Sequence, residues 1–103
     1  MKLYMVRKTL DNGVKEYASA GMSFSTKASK GWGRIGNLKS AIRNKIYNFR
    51  HWDTGKQEVF DEWLEWELRD GGKIDVLEID IDNVTIVETD IKDWYLTNMV
   101  KEK

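Results

Sequence analysis

Apolar and polar positions alternate from the start of the chain. In Lys2 to Leu10 (KLYMVRKTL), Leu3, Met5 and Arg7 share one parity and Tyr4, Val6 and Lys8 the other. That period of two predicts a strand. Asp11-Asn12-Gly13 follows, and Asn-Gly, which tolerates positive φ, predicts a two-residue hairpin turn into a return strand over 14–20. Residues 21–33, rich in Gly, Ser, Thr and Lys, read as a loop. Within it Met22 and Phe24 either form a short strand or tuck under the sheet.

The period then changes to 3.6. Leu38, Ala41, Ile42, Ile46 and Phe49 fall on one helical face, with Asn37 as the expected N-cap. Lys45 lands within the apolar arc and must snorkel. His51-Trp52-Asp53 is a connector, and Thr54 to Gln57 reads as a capping box. In the second helix Val59, Phe60, Trp63, Leu64, Trp66 and Leu68 occupy a wide arc, closed by Gly71 or Gly72. Leu64, Trp66 and Leu68 also alternate with Glu65, Glu67 and Arg69, so a strand is the rival reading there.

Lys73 to Ile81 (KIDVLEIDI) predicts a strand with Leu77, Ile79 and Ile81 on one side and Glu78 and Asp80 on the other. Ile74 and Val76 have the opposite parity to Leu77, which predicts a bulge near Val76. Asp82-Asn83 turns the chain into a strand over 84–88. Thr89 or Asp90 then caps a last helix with Ile91, Trp94, Tyr95 and Met99 on its apolar face, and residues 101–103 should fray. The expectation is one α+β domain over residues 1–103, in the order β-β-α-α-β-β-α. Two hairpins would join into a four-stranded antiparallel sheet, with three helices covering a face.

Composition adds three points. Hydrophobic residues make up 41% and aromatic residues 12%, which excludes a disordered chain. The absence of cysteine removes disulfides and thiolate metal sites. No apolar run approaches the ~18 residues of a membrane span, and no signal-peptide h-region is present. These features predict a soluble, cytoplasmic protein that keeps clear of membranes.

Charge changes the picture more. The formal net charge is zero, yet residues 1–50 hold eleven Lys/Arg against two acids, and residues 51–103 hold six against fifteen. Either a basic surface faces a polyanion or the two halves pack together and neutralise each other. Lys27, Lys30, Arg34, Lys39, Arg43 and Arg50, interleaved with Trp32 and Tyr47, are the candidate basic surface for nucleic acid, nucleotide or a partner. Glu58, Asp61, Glu62 and Glu65 are a candidate acidic face for a partner protein. The five tryptophans, at 32, 52, 63, 66 and 94, exceed what so small a core must contain, so some are expected at an interface.

Four sequence patterns touch on chemistry. Gly31-Trp32-Gly33-Arg34-Ile35-Gly36 matches G-x-G-x-x-G ahead of a helix, but lacks the preceding parallel strand of a dinucleotide fold. Its amides, with Lys30 and Arg34, are a weaker anion candidate. Glu78, Asp80 and Asp82 share a strand face without the glycine and distal Glu of a calcium loop. His51 is alone, with neither metal-binding companions nor a serine in a nucleophile turn. No catalytic residue, metal site or cofactor is therefore expected.

Residues 2–46 resemble the opening of a group of small phage and prophage proteins of unknown function. The matching positions are Tyr4, Arg7, Gly13, Tyr17, Gly21, Phe24, Lys30, Gly31, Trp32, Gly36, Leu38 and Lys39; residues 73–99 match loosely. Trp32 directly after Gly31, and the acidic helix around Trp63, depart from the group. The resemblance implies a small phage accessory protein of the host cytoplasm that counters a host defence or redirects a host factor. Together the readings give a non-enzymatic protein that binds a host macromolecule through charged surfaces. The alternative is a nucleic-acid or nucleotide binder using the stripe over 27–50. Pairing of a positive and a negative half between copies would make a homo-oligomer.

Overall fold

The structure is a computed structural model and describes residues 1–27, 29–50 and 57–100. Its centre is a pair of eight-residue strands, β1 (Lys2–Thr9) and β4 (Lys73–Asp80). They run antiparallel in unbroken register from Lys2↔Asp80 to Thr9↔Lys73. The expected bulge at Val76 is absent. β4 lies inside the sheet and carries apolar side chains on both faces, so no change of parity is needed.

β2 (Lys15–Ala18) joins β1 through Arg7↔Tyr17, and β3 (Phe24–Ser25) joins β2 through Ala18↔Phe24. β5 (Thr85–Asp90) pairs with β4 over its whole length. The sheet order is β3-β2-β1-β4-β5, so the α+β expectation stands with five strands in place of four. A strand of two residues is too short to show a period. The first hairpin is also wider than Asn-Gly alone implies. Gly13 N–H donates to Leu10 O and Leu10 N–H to Val14 O, with Gly13 at φ +87°. That is a three-residue loop closed by a left-handed glycine.

After β3 the chain returns to the sheet. Trp32 forms a two-way backbone bridge with Tyr4, each N–H donating to the other's carbonyl at 2.8 Å. Once released from that bridge the chain coils into α1 (Ile35–Phe49). Arg34 is its extended N-cap, without a side-chain cap, and Asn37 lies inside the first turn. The bridge, rather than the best capping residue, sets where the helix begins.

α2 (Gln57–Glu67) takes in Leu64 and Trp66, and Leu68 N–H still bonds back to Leu64 O. The strand reading fails there because the helical arc buries Val59, Phe60 and Trp63 together. α3 (Ile91–Tyr95) begins at Asp90, whose carboxylate accepts from Lys92 N–H at 2.9 Å, and runs into a π-helical turn over Leu96–Val100. The proposed connector and capping box at 51–56, and the frayed end at 101–103, lie outside the described residues. Among the described residues no helix is long and apolar enough to cross a membrane.

All three helices send their buried residues into one core. Leu38, Ile42 and Ile46 of α1 meet Val59, Phe60 and Trp63 of α2 and Ile91, Trp94 and Tyr95 of α3. The sheet contributes Tyr4, Val6, Ala18, Ile74 and Val76, all on one face by register. Phe60 stacks on Tyr95 with ring centroids 3.8 Å apart and planes 11° from parallel. Each such side chain stabilises the fold by about 1.5–3 kcal/mol relative to exposure.

Candidate functional site

The basic stripe does not survive folding as one surface. Trp32 pairs across from Tyr4 and turns its ring into the core, 5% exposed. It is unavailable to stack on a base, which corrects the stacking expectation. Lys39 is buried in the wall of α1. Arg50 pairs with Glu62 on α2 at 2.9 Å. Tyr47 and Arg43 remain exposed on α1, and Arg43 acts electrostatically on Tyr95 in opposition to Asp61 and Glu58. Burial is the main force raising the Tyr95 hydroxyl above its ordinary pKa. Lys27, Lys30 and Arg34 stay exposed around the glycine turn.

The acidic face meets the same fate in part. Glu62 is tied to Arg50, and Asp61 makes a short contact with Lys92 of α3. Glu58 and Glu65 are exposed. Internal neutralisation, the second charge reading, therefore accounts for half of this face. Trp66, like Tyr47, stays outside the core, 50% exposed, with Arg69 lying over its ring at 4.2 Å. With Lys45, Asn48, Phe49 and Trp63 it lines a cleft of about 180 Å³ between α1 and α2.

The other patterns have structural employment. Gly31 lies against Leu3, where an added Cβ would come within 2.8 Å of the leucine side chain. The G-x-G-x-x-G run thus leads from an antiparallel bridge into a helix, and all strand pairs are antiparallel. Glu78 pairs with Lys2, Asp82 with the N-terminal amine, and Asp80 accepts from Asn83. Those bonds from Asn83 hold the Asp80 carboxyl below its ordinary range. His51 lies outside the described residues.

The face of the sheet opposite the helices carries a second set of apolar side chains. By register Leu3, Met5, Leu77, Ile79 and Ile86 stand together there, and none belongs to the helix-side core. A charged cluster sits among them. Arg7 Nη2 donates to Glu88 at 2.5 Å and to Asp75 at 3.3 Å, and Lys73 approaches Asp75 at 3.7 Å. Arg7 and Asp75 are buried, so each needs the other: an unpaired charge there would cost several kcal/mol. The Arg7 hydrogen bond and charge hold the Glu88 carboxyl below its ordinary range.

The apolar exposure grows toward the β4–β5 hairpin. Met1, Ile81, Val84, Ile86 and Val87 are five of the eight large hydrophobic side chains exposed among the described residues. They gather around one hairpin: Ile81 N–H bonds to Met1 O, Val84 lies in the turn, and Ile86 and Val87 follow in β5 on opposite faces of the sheet. Exposed apolar side chains concentrated in this way make the hairpin a candidate interaction surface. None of the five was among the charged and aromatic residues singled out from sequence. The signal available was the double parity of Ile74, Val76, Leu77 and Ile79, which requires two buried faces. Comparison with protein-family models, with curated proteins and with solved structures gave no match.

Proposed function

We propose that this is a non-enzymatic binding protein, a phage-type accessory protein in keeping with the resemblance of residues 2–46, which engages a host protein. The observation that carries this reading is the cluster of exposed apolar residues Met1, Ile81, Val84, Ile86 and Val87 around the β4–β5 hairpin, at the edge of the helix-free sheet face. Apolar patches rimmed by charge favour protein partners, whereas nucleic acid is met by cations. The charged surfaces become the rim of the contact. Pull-down from bacterial lysate with mass spectrometry tests it. A stoichiometric partner should be lost with Ile86→Lys and retained with Lys30→Glu/Arg34→Glu. Recovery of no partner, or of one indifferent to Ile86→Lys, overturns the reading.

A second reading, nucleic-acid contact, is favoured by Lys27, Lys30, Arg34 and Arg43, which are exposed and have no acidic partner within 4 Å among the described residues. It requires binding to a labelled oligonucleotide at low salt that falls steeply as salt rises. Absence of binding at low salt removes it.

A further inference from the structure

The sheet ends on a strand whose outer edge nothing among the described residues pairs. β5 closes the order β3-β2-β1-β4-β5, and residues 85–88 are exposed along it. Its outward backbone N–H and C=O groups are a template for another strand. Open edges are ordinarily guarded by lysine, proline, a bulge or shortness. The β3 edge is only two residues long, with Lys27 and Lys30 just beyond it. β5 has no such protection. It is six residues long, its register with β4 is unbroken, the chain has no proline, and no lysine occurs from Asp80 to Ile91.

The edge is also nearly free of charge. In Val84 to Thr89 (VTIVET) every residue but Glu88 is β-branched, the composition that favours strand pairing. β5 holds two charges: Glu88 is answered within its own chain by Arg7 at 2.5 Å, and Asp90, the last residue of the strand, accepts from Lys92 N–H at the start of α3. Self-association through residues 85–89 therefore opposes neutral side chains and an Arg7-paired Glu88, with Asp90 left beyond the paired residues.

We infer that β5 pairs antiparallel with β5 of a second copy, about a two-fold axis through Val87 normal to the sheet, to form one ten-stranded sheet. The register follows from elimination. Residues opposite each other in an antiparallel pair share a face, so an axis normal to the sheet must pass through a residue. An axis at Glu88 would set two carboxylates against each other, which is destabilising. An axis at Ile86 would need Val84, which has φ +53° in the turn, to enter the ladder. With the axis at Val87 every opposed residue from Thr85 to Thr89 is already in strand. Val87 then meets its own counterpart, Ile86 meets Glu88, and Thr85 meets Thr89. The contact is isologous and closes at two copies. It sets the two helix-free faces side by side, and it stands whether or not a host protein binds them.

Sedimentation velocity over a wide concentration range is the test, with a cysteine cross-link beside it. The wild-type chain should reach twice its monomer mass, and Val87→Lys should weaken that dimer at least ten-fold. Because the chain has no cysteine, Val87→Cys is diagnostic. Under mild oxidation it should give a covalent dimer, while Val14→Cys, at the tip of the other hairpin, should stay monomeric. If Val87→Lys fails to fold by circular dichroism, the cross-link alone decides. A wild-type monomer at all concentrations overturns the inference. So does a dimer that persists in Val87→Lys, or a Val87→Cys chain that does not cross-link. A monomer that still captures a host protein removes this inference and leaves the proposed function intact.

Discussion

Left-handed backbone has opposite consequences at Val84 and at Gly72. Val84 has φ +53° in the turn between β4 and β5 and is 87% exposed. A β-branched residue in the left-handed region costs about 1 kcal/mol or more, and no packing repays it here. Val84→Asn should raise stability by about 1 kcal/mol, seen as a higher denaturant midpoint with an unchanged slope. Gly72 is the opposite case. It has φ +90°, its N–H donates to Asp11 Oδ1, and an added Cβ would come within 2.4 Å of the Thr9 carbonyl. Gly72→Ala should destabilise by about 2 kcal/mol or more on the same assay, because backbone strain and a backbone clash act together.

Glu88 links residue chemistry to pH. Its native pKa lies below its unfolded value of 4.5, because Arg7 bonds to and attracts the charged form. The stability it supplies is therefore complete above about pH 4.5 and is lost as pH falls through the lowered native pKa. Unfolding midpoints measured at neutral and acid pH should fall on acidification, and Glu88→Gln should flatten that part of the profile. An unchanged profile would show that the Arg7 pair contributes nothing in solution.

At the level of elements, the helices are held by their shared core more than by charge. The Arg50–Glu62 bridge between α1 and α2 is solvent-exposed on both sides, and such pairs contribute about 0–1 kcal/mol. Phe60 touches both Trp63 and Tyr95 and is fully buried, joining α2 to α3. Phe60→Ala should cost about 3–5 kcal/mol by thermal or denaturant unfolding, whereas Arg50→Ala should cost less than about 1 kcal/mol. Lys8 adds a directional tie: its ammonium donates to the Glu67 carbonyl at 2.7 Å, placing a cation at the C-terminus of α2.

At the largest scale, one sheet face builds the core, and the exposed apolar side chains gather at the β4–β5 hairpin. Ile86 and Val87 are 60% and 56% exposed, so at concentrations where the chain is monomeric Ile86→Lys/Val87→Lys should leave thermal stability within about 0.5 kcal/mol of wild type. A large loss of stability in that variant would mean the patch is structural rather than a contact surface.

Local pattern was enough for much of this. The alternation in β1, the existence of β4, the helical faces of α1 to α3, the glycine in the first hairpin and the Asp90 cap all follow from near neighbours along the chain. So does the α+β class, because two-residue and 3.6-residue periods name their elements without outside help. Tertiary structure decided what depends on partners far away in sequence. Trp32 became a core residue because its backbone pairs with Tyr4, twenty-eight positions earlier. That same bridge moved the start of α1 from Asn37 to Ile35. The candidate basic stripe and acidic face were divided by burial and by ion pairs between helices, which periodicity cannot express. The exposed β4–β5 edge arises only from strand order: composition cannot say which strand of a sheet is last, and the last strand is the one whose hydrogen bonds remain to be made.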